Sequence, residues 1–202
     1  MLRRALPVTL RSADWRAAES VHRGVWIVAR DPAHREVAKQ ALELLARYDR
    51  RRFRRVLRHA PQVHVGTADD VGRSHFRAFD GLVFVVSANR LDVAATLVHE
   101  ATHALLAVRG LPYDARTWRR HEALCRREEA RLARRLLGAA PLEAADREEL
   151  ARFASACEQL AQAYLAARDR PPGRCEVVGL DAVLEEVEAL RRAWRQHLAA
   201  SR

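Results

Sequence analysis

The chain has 202 residues, 49% of them apolar, with 36 basic and 26 acidic side chains and a net charge of +10. That is the size and composition of a single globular domain over residues 1–202, and it excludes a disordered or fibrous chain. No apolar run approaches the ~20 residues of a membrane span, and the segment Met1 to Leu10 is broken by Pro7 and followed by charge at Arg11 to Arg16, unlike a signal peptide.

The first expected strand is Gly24 to Ala29. Asp31-Pro32 then supplies a helix N-cap and a proline at the first helical position. The helix they start runs from Pro32 to about Tyr48, burying Val37, Ala41, Leu44 and Leu45. A short helix follows Asp49, from Arg51 to His59. Pro61 to Gly66 reads as a short strand and Thr67 to Ser74 as loop. After the turn signal Asp80-Gly81 comes a run of β-formers, Leu82 to Val86. Asn89 and Asp92 form a capping pair for a helix from Arg90 to Val108, which stops at Gly110. Asp114 or Thr117 opens the next helix, running to about Leu137 before Gly138. A further helix is expected from Leu142 to Arg168, broken by Pro171-Pro172-Gly173, and a last one from Asp181 to about Ala199. The expected class is α+β, mostly helical, with a small sheet in a part covering about 20–90. Further helices follow over about 90–137, and C-terminal helices over about 141–200.

Residues 97–105 read Leu-Val-His-Glu-Ala-Thr-His-Ala-Leu. His99, Glu100 and His103 spell H-E-x-x-H inside an apolar helix. Positions i and i+4 of a helix share a face, so both imidazoles could reach one zinc ion. Glu100, one residue round, is placed to take a proton from water at that ion. Two histidines and an acid are costly to bury without a metal or partner.

These residues resemble the zincin class of metallopeptidases. More narrowly, about residues 80–137 are similar to small uncharacterised bacterial proteins with an H-E-A-T-H helix, then a tyrosine, then an Arg-rich helix carrying Glu and Cys. Here those are His99 to His103, Gly110, Tyr113, and the stretch Arg120-His121-Glu122-Ala123-Leu124-Cys125-Arg126-Arg127-Glu128-Glu129. The longer H-E-x-x-H-x-x-G-x-x-H signature is absent. The resemblance implies a zincin-like fold, a peptide or protein substrate, and Leu82 to Val86 as part of a sheet whose edge holds that substrate by main-chain hydrogen bonds.

A catalytic zinc takes three protein ligands and leaves one position open. Glu122, 19 residues beyond His103, allows a turn at Gly110 and a returning helix, and matches the acid of the resembling pattern. Glu129 is the alternative ligand, or a carboxylate that orients a histidine. Glu128 is expected on the solvated face with Arg127, and His121 on the surface among Arg119, Arg120 and Glu122, with a role as electrophile as its alternative. Cys125 is expected to be a small buried residue rather than a ligand. His64 and His75 are read as structural or surface residues. Tyr113 is the expected second donor to the oxyanion, or else a turn residue packed on the core.

Only Lys39 is lysine; the other basic residues are arginines, spread over every expected helix beside glutamates. Nucleic-acid binding is therefore a minor expectation, with Arg50 to Arg55 the densest patch. Cys125, Cys157 and Cys175 have no framework spacing, which fits reduced thiols and a cytoplasmic location. The expected function is a zinc-dependent metallopeptidase. The other readings are a zincin-fold regulator with little activity, and an Arg-rich nucleic-acid binder with a structural metal.

Overall fold

The computed structural model describes residues 18–67, 75–77, 82–86, 89–111, 113–114 and 116–166. Cys175, the Pro171–Gly173 break and the helix expected from Asp181 lie outside them. The fold is α+β: a mixed five-stranded sheet and, among the described residues, five helices.

The strands are β1 (Ala18–His22), β2 (Val25–Ala29), β3 (Gln62–Gly66), β4 (His75–Arg77) and β5 (Leu82–Val86), in sheet order β1-β2-β3-β5-β4. The three inner strands are parallel, with Ile27 opposite Val63 and Val63 opposite Val83. Both edges are antiparallel: β1 pairs with β2, and β4 with β5. Helices α1 (Pro32–Tyr48) and α2 (Arg50–His59) connect β2 to β3, since parallel neighbours need a long crossover.

The expected strands are present at β2, β3 and β5. Two edge strands were not foreseen. Ala18–His22 lacks a run of β-formers; what makes it a strand is the two-residue turn Arg23-Gly24. Both residues have positive φ, 50° and 86°, the backbone that matches the twist of a hairpin. β4 has three residues, too few for an alternation pattern to register. It, rather than β5, is the edge beside the central helix, because β5 lies between β3 and β4.

Helix α3 (Arg90–Val108) starts as its capping residues dictate, with Asn89 Oδ1 accepting from the N–H groups of Leu91 and Asp92. It is apolar and buried almost all round, as a helix packed on every side must be. It rests on α1, α2, β4, β5 and the next helix, α4 (Trp118–Ala139). By length and composition α3 could cross a membrane, yet 78% of its apolar 18-residue window is buried inside the fold. Asp114 opens the approach to α4 by accepting from the N–H groups of Arg116 and Thr117. α4 continues through Gly138 to Ala139, two residues beyond the expected stop. It pairs closely with α5 (Ala144–Ala166). Ile27, Leu45, Leu97, Leu132, Leu136, Phe153 and Leu160 fill the core between these layers.

Candidate metal centre

Two helices converge on one point. His99 and His103 face out of α3, one turn apart, and Nε2 of one lies 3.1 Å from Nε2 of the other. From the first turn of α4, Glu122 turns one oxygen to each ring: Oε2 is 3.5 Å from His99 Nε2 and Oε1 is 3.2 Å from His103 Nε2. Zinc bonds of about 2.0–2.1 Å at tetrahedral angles would space such donors roughly 3.3–3.4 Å apart. The donor set therefore has the size a zinc ion requires, before any ion is considered.

Glu129 lies on the other side of His99. Its Oε1 is 3.4 Å from Nδ1, long for a hydrogen bond but close for a charge. A carboxylate there favours the proton on Nδ1 and leaves the Nε2 lone pair facing Glu122, which is the tautomer a ligand needs. Glu129 is itself 0% exposed. Arg126 donates to it at 2.9 Å, and the Cys157 thiol of α5 approaches at 3.6 Å. The helical hairpin α4–α5 thus holds the acid that holds the histidine.

Electrostatics follow from this packing. Burial alone would push the Glu122 carboxyl up, but the hydrogen bond from His103 and the nearby His99 ring draw it down to about 2. Burial opposes charge on His99, yet Glu129 and Glu100 outweigh it and raise its pKa. Cys125 is fully buried, and burial together with Glu122, Glu100 and Glu129 holds its thiol well above the usual range. Glu122, Glu100 and Glu129 all act on that thiol electrostatically, and Arg126 opposes them.

Cys125 is the buried small residue the sequence reading expected, but it is also within metal reach. Its Sγ and a nitrogen of each of His99 and His103 lie within 4.8 Å of one another. The group His99, His103 and Cys125 can hold a metal ion; by the separations above, Glu122 sits tighter against both histidines.

Tyr113 is 59% exposed and donates its hydroxyl to Glu122 Oε1 at 3.0 Å. Burial and the Glu122 charge raise its pKa, so the phenol stays protonated. The tyrosine thus steadies a candidate ligand, a contact the sequence pattern did not predict. Glu100 is buried, and lies near enough to bear on His99 and Cys125 electrostatically.

Two expectations are overturned. Glu128 does not sit on a solvated face. It is 7% exposed and lies within ion-pair distance of Arg52 (3.1 Å), Arg55 (2.9 Å) and Arg131 (2.6 Å). Neighbouring Arg127 is only partly buried; the α2 side chains of Arg52 and Arg55 reach across to Glu128. Arg55 also donates to Thr102 Oγ1 at 2.8 Å, and Thr102 donates to Val98 O at 2.7 Å. The densest arginine patch is in this way half consumed: Arg52 is buried against Asp49 and Glu128, while Arg50, Arg51 and Arg54 stay exposed. His121 is not on the surface either, being 3% exposed. His64 is a buried residue of β3, its ring 5.0 Å from that of Phe84.

Comparison with protein-family models, with curated proteins and with solved structures finds no match.

Proposed function

We propose that the protein is a zinc-dependent hydrolase, and specifically a metallopeptidase with a zincin-like arrangement. The observation that carries this is the triangle of His99 Nε2, His103 Nε2 and the Glu122 carboxylate, with sides of 3.1, 3.2 and 3.5 Å. Three protein ligands leave a position open, which is the mark of a catalytic rather than a structural zinc. Zinc held there would polarise a scissile carbonyl and make water acidic enough to attack near neutral pH. Glu100, next to His99 in the chain, would serve there as general base and then as proton donor to the leaving amine. Glu129 fixes the His99 tautomer, and Tyr113 steadies Glu122 against rotation. The short antiparallel edge strand β4, packed beside α3, is the place where an extended peptide would add to the sheet. A cytoplasmic location fits the buried, reduced Cys125 and Cys157.

The test is cleavage of a broad peptide library, read by mass spectrometry, for wild type and Glu100→Gln in parallel. Glutamine keeps the size of glutamate but cannot accept the proton. Turnover should fall by ~10²–10⁴-fold while zinc is retained. Undiminished cleavage by Glu100→Gln would refute the role of Glu100.

One observation favours a second reading. If Cys125 joins His99, His103 and Glu122, the ion has four protein ligands and a closed shell. That is the pattern of a structural metal, and it would make the protein a regulator or binding module that uses the same helices.

A further inference from the structure

His121 is the most exceptional polar side chain near the centre. It is 3% exposed, and neither ring nitrogen has a hydrogen-bond partner among the described residues. Buried imidazole nitrogens without partners cost on the order of 1–3 kcal/mol each, so native proteins rarely leave both unpaired. Its position is also specific. The ring stacks on His103, with centroids 6.2 Å apart and planes 19° apart, and meets Tyr113 edge-on at 5.5 Å. It stands one residue before Glu122, in the first turn of α4.

An imidazole ring carries at least one N–H donor in either protonation state. Tyr113, the other candidate donor, has its hydroxyl engaged by Glu122. His121 is left as the group with donor capacity to spare on the face of His103.

Resting on the metallohydrolase reading, we propose that His121 is a substrate-contacting residue, whose N–H donates to the oxygen of the reacting carbonyl beside the His99–His103–Glu122 centre. Tyr113 is then a positioning residue for Glu122 and not the oxyanion donor. A preorganised donor aimed at developing negative charge is worth most where water is excluded, and His121 occupies such a place. The role asks for a carbonyl-bearing substrate.

The experiment uses the full chain loaded with zinc and the probe acetohydroxamate, which chelates zinc and presents a carbonyl-derived oxygen beside it. Binding is measured by calorimetry for wild type, His121→Phe and His121→Asn, with zinc content and circular dichroism on each. His121→Phe keeps the ring stack but has no nitrogen. It should retain stoichiometric zinc and helical content while weakening the probe by about 10- to 100-fold. His121→Asn, which keeps a donor, should recover most of that loss. In histidine-¹⁵N-labelled wild type, the His121 ring resonances should shift when the probe binds. Equal binding by wild type and His121→Phe would overturn the assignment, as would zinc-loaded wild type that does not take the probe. Loss of zinc from His121→Phe would overturn it too, since His121 would then support the metal. Wild type that binds no zinc refutes the metallohydrolase reading itself, a distinct outcome.

Discussion

Replacing Glu128 by alanine strands two buried arginines. Arg52 and Arg55 are about 9% and 11% exposed at the side chain and both direct nitrogen atoms at Glu128 Oε2. Removing one partner of a buried ion pair costs about 3–5 kcal/mol, chiefly because the remaining charge has no counterion. Arg52 keeps Asp49 and Arg55 keeps Thr102, which places Glu128→Ala near the lower figure, about 3 kcal/mol. For a chain of this size each kcal/mol moves the melting temperature by ~2–4 °C, so a fall of roughly 6–12 °C is expected. Arg131→Ala is the control. Arg131 also meets Glu128, but it is 57% exposed, and such pairs contribute under about 1 kcal/mol. The pH dependence has a definite sign. Burial opposes the Glu128 charge, but Arg52, Arg55 and Arg131 outweigh it and lower its pKa. A depressed carboxylate contributes stability that is fully present above the unfolded value of ~4.3 and is lost as pH falls through the folded value. Thermal melts of wild type, Glu128→Gln, Glu128→Ala and Arg131→Ala between pH 7 and 3 provide the assay. The gap between wild type and Glu128→Gln should be constant at neutral pH and close below about pH 4. A Glu128→Ala protein as stable as wild type at pH 7, or an Arg131→Ala loss of the same size, would refute the reasoning.

Glu122→Gln and Glu129→Gln should separate the two acids. Glu129→Gln leaves Arg126 buried without its charge partner and loosens His99, so apo-protein stability should drop by several kcal/mol and zinc affinity by ~10–100-fold. Glu122→Gln should lower zinc affinity further than that, by competition against a chelator, with a smaller loss of apo stability; the reverse ranking would exchange their roles. Nucleic-acid binding should be weak and fall steeply between low and physiological salt, because Arg52 and Arg55 already pair with Glu128. Tight, sequence-selective binding at physiological salt in a mobility-shift assay would contradict that.

Periodicity and capping chemistry made α1, α2, α3 and the three inner strands legible in the sequence. Asp31, Asp49 and Asn89 all cap as their residue types predict. The H-E-x-x-H spacing also located the histidine pair, because i and i+4 geometry is local. What escaped was set by tertiary packing. Glu128 and Glu129 are adjacent in sequence and similar in chemistry. Nothing local says that one meets the arginines of α2 and the other the back of His99. His121 looked solvated among arginines, but the fold buries it against His103 and Tyr113. The hairpin at Arg23-Gly24 was the one missed signal the sequence did carry, since Gly at the second turn position is a hairpin residue.

The central claim is that His99, His103 and Glu122 hold zinc through two nitrogens and an oxygen. X-ray absorption at the zinc K-edge, on protein purified without added metal, tests it most directly. The account predicts about one zinc per chain, with nitrogen and oxygen neighbours at about 2.0–2.1 Å and no sulfur, and loss of the metal in a His99→Ala, His103→Ala double variant. A sulfur shell at about 2.3 Å that disappears in Cys125→Ser would contradict the ligand set and favour the closed site. Absence of zinc that added metal cannot restore would contradict the claim altogether.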